Sequence, residues 1–113
     1  MTKINSDIPY STKFMVGAMA NKKKIEESLY YLGVEQLDLI IDIDLMLKEA
    51  KLTEKQAQVV ELYFFSQYTQ EEVSKKLGIS QQAVLDHINK VKQKIKKVLE
   101  GWKDKDEKQS NNR

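Results

Sequence analysis

Residues 70–89 read Gln-Glu-Glu-Val-Ser-Lys-Lys-Leu-Gly-Ile-Ser-Gln-Gln-Ala-Val-Leu-Asp-His-Ile-Asn. Two helices that cross tightly need a small residue at the crossing, and Ser74 supplies it. The turn between them needs a residue that accepts the left-handed conformation, and Gly78 supplies that. Apolar residues must bracket the turn and recur one turn into the second helix, as Val73, Leu77, Ile79, Val84 and Ile88 do. The stretch therefore predicts a helix-turn-helix, which leaves the outer N-terminal face of its second helix free.

The flanks extend the pattern. Thr69-Gln70-Glu71-Glu72 has the form of a capping box, and so does Thr53-Glu54-Lys55-Gln56 before the preceding helix. That helix buries Ala57, Val60, Leu62 and Phe64 or Phe65, and Ser66-Gln67-Tyr68 ends it. Ser80 caps the last helix, expected over Gln81 to Leu99. Its Val84, Ile88, Val91, Ile95, Val98 and Trp102 recur at alternating spacings of four and three, a heptad seam. Upstream, residues 13–31 read as one helix with a charged interruption at Asn21-Lys22-Lys23-Lys24, and Gly33 as its stop. Residues 34–49 read as a second, apolar on most of its circumference, with Glu35, Asp38, Asp42 and Glu49 on one narrow, water-facing acidic side and Asp44 as the exception. The expectation is an all-α domain of about five helices. It divides into 1–51 (an arm and two oligomerising helices), 52–102 (the helix-turn-helix unit) and 103–113 (a polar, disordered tail).

Composition removes several function classes. The 113 residues contain no Cys, so no disulfide, thiolate metal site or Cys nucleophile is available. The single His87 cannot build a zinc site alone and reads as a surface or phosphate-adjacent residue. No Gly-rich phosphate loop and no nucleophile–base pair occur, so no enzyme and no cofactor are expected. No apolar run is long enough to span a bilayer. The short run Phe14–Ala20 lacks a basic leader, so the protein is expected to stay in the cytoplasm. Tyr30-Tyr31 and Tyr63-Phe64-Phe65 are read as core. Net charge is +2, unevenly spread: residues 1–50 carry six Lys and eight acids, whereas residues 81–113 carry nine basic and five acidic residues. Positive charge gathers in the last third, as a polyanion-facing element would have it.

Residues 52–99 resemble domain 4 of bacterial sigma factors. The likeness runs from Leu52-Thr53-Glu54 through Leu62-Tyr63-Phe64-Phe65 and Tyr68-Thr69-Gln70-Glu71-Glu72-Val73, then through Leu77-Gly78-Ile79-Ser80 into the Lys-rich last helix. The resemblance implies double-stranded DNA as partner and gives base reading to Gln81, Gln82, Leu85, Asp86 and Asn89. Gln and Asn can bond an adenine edge, Leu85 can pack on a thymine methyl, and Asp86 can accept from cytosine. Phosphate contacts fall to Lys75, Lys76, Lys90, Lys92 and Lys94. Family members often place Arg at the reading positions. The only Arg here is Arg113, so the family's base preferences do not transfer.

Residues 1–51 are too few for the promoter-melting domain of a complete sigma factor. The expected function is a free-standing transcription regulator of the phage or mobile-element kind. Two alternatives are the DNA-recognition subunit of a phage packaging machine and a module that docks on RNA polymerase in place of sigma domain 4. A homo-oligomer, most simply a dimer, is expected through Leu39, Ile43 and Met46, with Leu37, Ile41 and Leu45 facing the chain's own core.

Overall fold

The structure is a computed structural model and describes residues 10–32 and 37–111. Its elements are α1 (Thr12–Ala20), α2 (Lys22–Leu32), α3 (Leu37–Ala50), α4 (Glu54–Val59), α5 (Gln70–Leu77) and α6 (Gln81–Asn111). A π-helical stretch, Val60–Phe65, continues α4 without a break. Among the described residues the all-α expectation holds, with six α-helices where about five are expected. Most of the N-terminal arm, Gly33 and the side chains of Tyr30 and Tyr31 lie outside the described residues.

The sixth helix arises because the helix expected over 13–31 is two. Ser11 caps α1, its hydroxyl accepting from the Phe14 N–H at 3.0 Å. At Asn21 the side chain donates to the Gly17 carbonyl at 3.0 Å, and the backbone N–H is shared between Gly17 and Ala18. Asn competes for helical carbonyls in this way and ends the helix. The Asn21 carbonyl then accepts from Ile25, so α2 starts at once.

α6 is the axis of the core. Val84, Ile88, Val91, Ile95 and Leu99 are buried along one side and meet Met15 and Met19 of α1, Ile43 and Met46 of α3, and Val59, Val60, Phe64 and Val73. The seam read from sequence drifts at its end, where Leu99 is buried and Val98 only half-buried. A straight helix repeats every 3.6 residues, so a strict 3.5-residue seam rotates out of register. α6 also runs on to Asn111 through the segment expected to be disordered. Beyond Gly101 that segment has neither Gly nor Pro, and its Lys, Glu and Gln are good helix formers.

The orientation of α3 reverses the expectation. Ile43 and Met46 are fully buried and Leu39 is half-buried, while Leu37, Ile41 and Leu45 face outward. Both faces of this helix are apolar, so periodicity alone admits either phase. Its polar residues decide between them. Asp42 is buried rather than water-facing and accepts from the Tyr10 hydroxyl at 2.8 Å. Burial, that hydrogen bond and the charges of Asp42 and Asp38 push the Tyr10 phenol well above its usual range, so it remains a donor. On the other side Trp102 of α6 donates to Glu49 at 2.8 Å. These ties turn the Ile43 face onto α6.

The fold generates a stability test. Ile43→Ala is expected to cost about 2–5 kcal/mol, the range for truncating a fully buried aliphatic side chain, measured by urea unfolding. A loss below about 1 kcal/mol would return Ile43 to the surface.

Candidate nucleic-acid interface

The two helices of the motif are locked by the groups that the sequence supplies. The Thr69 hydroxyl accepts from the Glu72 N–H at 3.1 Å and Glu72 returns the contact to the Thr69 N–H at 2.9 Å, so α5 begins with a closed capping box. At its other end Gly78 has φ 68°, and its N–H and that of Ile79 bond the Ser74 carbonyl. A Cβ on Gly78 would meet nothing within 4 Å, so backbone conformation and not crowding calls for Gly. Ser74 is buried at the crossing, its hydroxyl donating to the Glu71 carbonyl at 2.7 Å. Ser80 caps α6 by accepting from Ala83 at 3.0 Å. Val73, Val84 and Ile88 are buried beneath this turn.

With that side buried, the helical repeat sends Gln82, Leu85, Asp86 and Asn89 outward together. Gln81, Gln82, Asp86 and Asn89 are exposed, and Leu85 is half-buried. The Gln82 amide donates to Asp86 at 3.2 Å, one turn on, so the two side chains hold each other across the face. Both are exposed, and that bond can be exchanged for one to a base edge.

The predicted phosphate ligands divide. Lys90 and Lys92 are exposed on α6 just beyond that outward face. Lys75 lies 3.4 Å from Glu71 in an exposed pair on α5. The Lys76 ammonium sits 4.5 Å from the Tyr68 ring centroid, a support that only the fold reveals, because Tyr68 precedes α5 and Lys76 lies in its last turn. Lys94 departs from the expectation. It is half-buried and donates to the Gln56 amide oxygen at 2.7 Å and to the Lys51 carbonyl at 3.3 Å. Gln56 also closes the capping box of Thr53, accepting from the Thr53 N–H at 3.1 Å, and Lys51 is left-handed at φ 53°. Lys94 thus clamps α6 to the start of α4, so it belongs to the scaffold and not to the phosphate contacts. Lys96 and Lys97 are exposed cations further along α6 that the sequence reading left out.

Comparison with known proteins agrees with this geometry. The sequence model of sigma-70, region 4, matches residues 50–97. Over that stretch the helix-turn-helix of the chain is similar to sigma-70, region 4. It is also similar to UPF0122 proteins of Streptococcus equi subsp. zooepidemicus (strain MGCS10565) and Streptococcus gordonii, each 38% identical over 53 residues, or 47% of this chain. A UPF0122 protein of Streptococcus pneumoniae (strain CGSP14) matches to the same extent. The match covers only 43–44% of those relatives' own length. No solved structure matches the chain significantly. Among the described residues no helix is long and apolar enough to cross a membrane.

The division of the lysines is testable without any ligand. Lys94→Ala is expected to lower stability by about 1.5–3 kcal/mol, the range for hydrogen bonds to a charged group. Lys92→Ala is expected to stay within about 0.5 kcal/mol of the parent, as exposed positions do. Equal losses in urea unfolding would reject the clamp.

Proposed function

We propose that this chain is a sequence-reading, double-stranded DNA-binding transcription regulator acting in the cytoplasm. In this reading the first turns of α6 enter the major groove, and α5 lies across the backbone. One observation carries it: Gln82, Leu85, Asp86 and Asn89 share the outward face of a helix whose opposite side is buried from Val84 to Leu99. Gln82 and Asn89 offer paired donor and acceptor groups suited to adenine, Asp86 an acceptor for cytosine, and Leu85 an apolar surface for thymine. Lys90, Lys92, Lys75 and Lys76 neutralise phosphates on either side. The face has no Arg, so base preference rests on amide and carboxylate groups and differs from that of an Arg-bearing relative.

Docking on RNA polymerase in place of sigma domain 4 would not require four base-compatible side chains on one exposed face, and DNA is therefore the preferred partner. Neither a packaging role nor a phage origin has a feature of its own in support.

Binding to duplex DNA is expected to weaken with salt, with a log–log slope of roughly −0.9 per phosphate neutralised. Lys92→Ala should weaken all sequences alike and reduce that slope by about one unit. Gln82→Ala should cost about 1–3 kcal/mol at the preferred site and little on random duplex. Fluorescence anisotropy over a salt series reads all three. No binding at low salt would reject the function, and identical behaviour of the two variants would reject the assignment of the reading face.

A further inference from the structure

The exposed large hydrophobic residues among those described are Phe14, Leu37, Ile41 and Leu45, between 40 and 51% exposed, and all lie on α1 and α3. Leu37, Ile41 and Leu45 stand four residues apart, a single ridge along the outer side of α3. The ridge continues onto α1, because Tyr10 donates to Asp42 and its ring stacks on Phe14 with centroids 5.8 Å apart and planes 1° from parallel.

The charges along this ridge are arranged in order. Asp38 lies in the first turn of α3 and Lys48 in its last. Asp44 is 3.9 Å from Lys22, and Asp42 is bonded by Tyr10. Asp38 and Lys48 have no ion-pair partner among the described residues. A helix that ends its apolar ridge with an acid at one end and a base at the other complements itself when turned end for end.

We propose that the outer face of α3 is a two-fold dimer interface whose occupant is a second copy of this chain, with the two α3 helices antiparallel. Ridges at a four-residue repeat interdigitate at a crossing of roughly −50°. A two-fold axis at the level of Ile43 brings Ile41 against the partner's Leu45 and Lys48 against the partner's Asp38, and the same pairs form in reverse, as an isologous interface requires. Antiparallel helices also place opposite ends of their dipoles side by side. DNA reading stays unobstructed. α3 joins α6 at Trp102, and Gln82 lies about 30 Å away along that helix at 1.5 Å per residue. This interface replaces the face of Leu39, Ile43 and Met46, which the core consumes.

The test uses the full chain in light scattering over a concentration series. The expected mass is twice 13.2 kDa. Ile41→Glu should give a monomer with unchanged helical circular dichroism, because Ile41 faces outward. Lys48→Glu and Asp38→Lys should each weaken self-association about tenfold or more through like-charge contacts. A mixture of those two variants should recover dimers, since every pair is then opposite in sign. A monomeric parent at high concentration, a dimer that survives Ile41→Glu, or a mixture no tighter than its components would each overturn the interface.

Discussion

Burial of Val84, Ile88, Val91, Ile95 and Leu99 along one side of α6 sets the rest of the molecule. Each such side chain contributes about 1.5–3 kcal/mol by leaving water, so the rotation of α6 about its axis is firmly fixed. That rotation fixes what lies opposite. Gln82, Leu85, Asp86 and Asn89 point outward because Val84 and Ile88 point inward. The same helix is thus both the spine of the core and the element that presents the outward face proposed to read bases. A face built on such a spine is held in place by the core itself.

The elements around α6 keep it in position. α5 is fastened by Thr69, Ser74 and Gly78, which close both of its ends and permit the tight crossing. α4 is joined to α6 by Lys94 through Gln56 and Lys51. α3 is held to α6 by Trp102 and to the segment before α1 by Tyr10. Lys22, at the start of α2, reaches Glu26, Asp44 and the Phe65 ring together, which ties the N-terminal helices to the π-helical stretch. Polar side chains acting across long sequence separations therefore orient helices whose apolar faces alone do not choose an orientation.

This division explains what was legible in the sequence. Capping boxes, the left-handed Gly78, the small residue at the crossing and the Val84–Ile95 stripe are local or periodic signals, and each is realised as read. The orientation of α3 is not legible, because apolar residues lie on both of its faces and the Tyr10–Asp42 bond that decides between them spans 32 positions. The contacts of Lys94 are hidden for a similar reason. Nothing near it in sequence reveals Gln56, 38 positions away, so a scaffold Lys looks like any cation on a basic helix. Asn21 stands in a charged interruption, and its competition for the Gly17 carbonyl leaves no mark in the hydrophobic pattern. Gln82, Asp86 and Asn89, expected on the outward face, are exposed, since the helical repeat places them once the buried side is known.

The central claim is that the outward face at the start of α6 meets DNA. Its most direct test is a two-dimensional amide NMR titration of the protein with duplex DNA. Shifts are expected to gather on Gln81 to Lys92 and along α5, with α3 little changed. Shifts centred on α3, or a duplex that binds while leaving the start of α6 unperturbed, would contradict it.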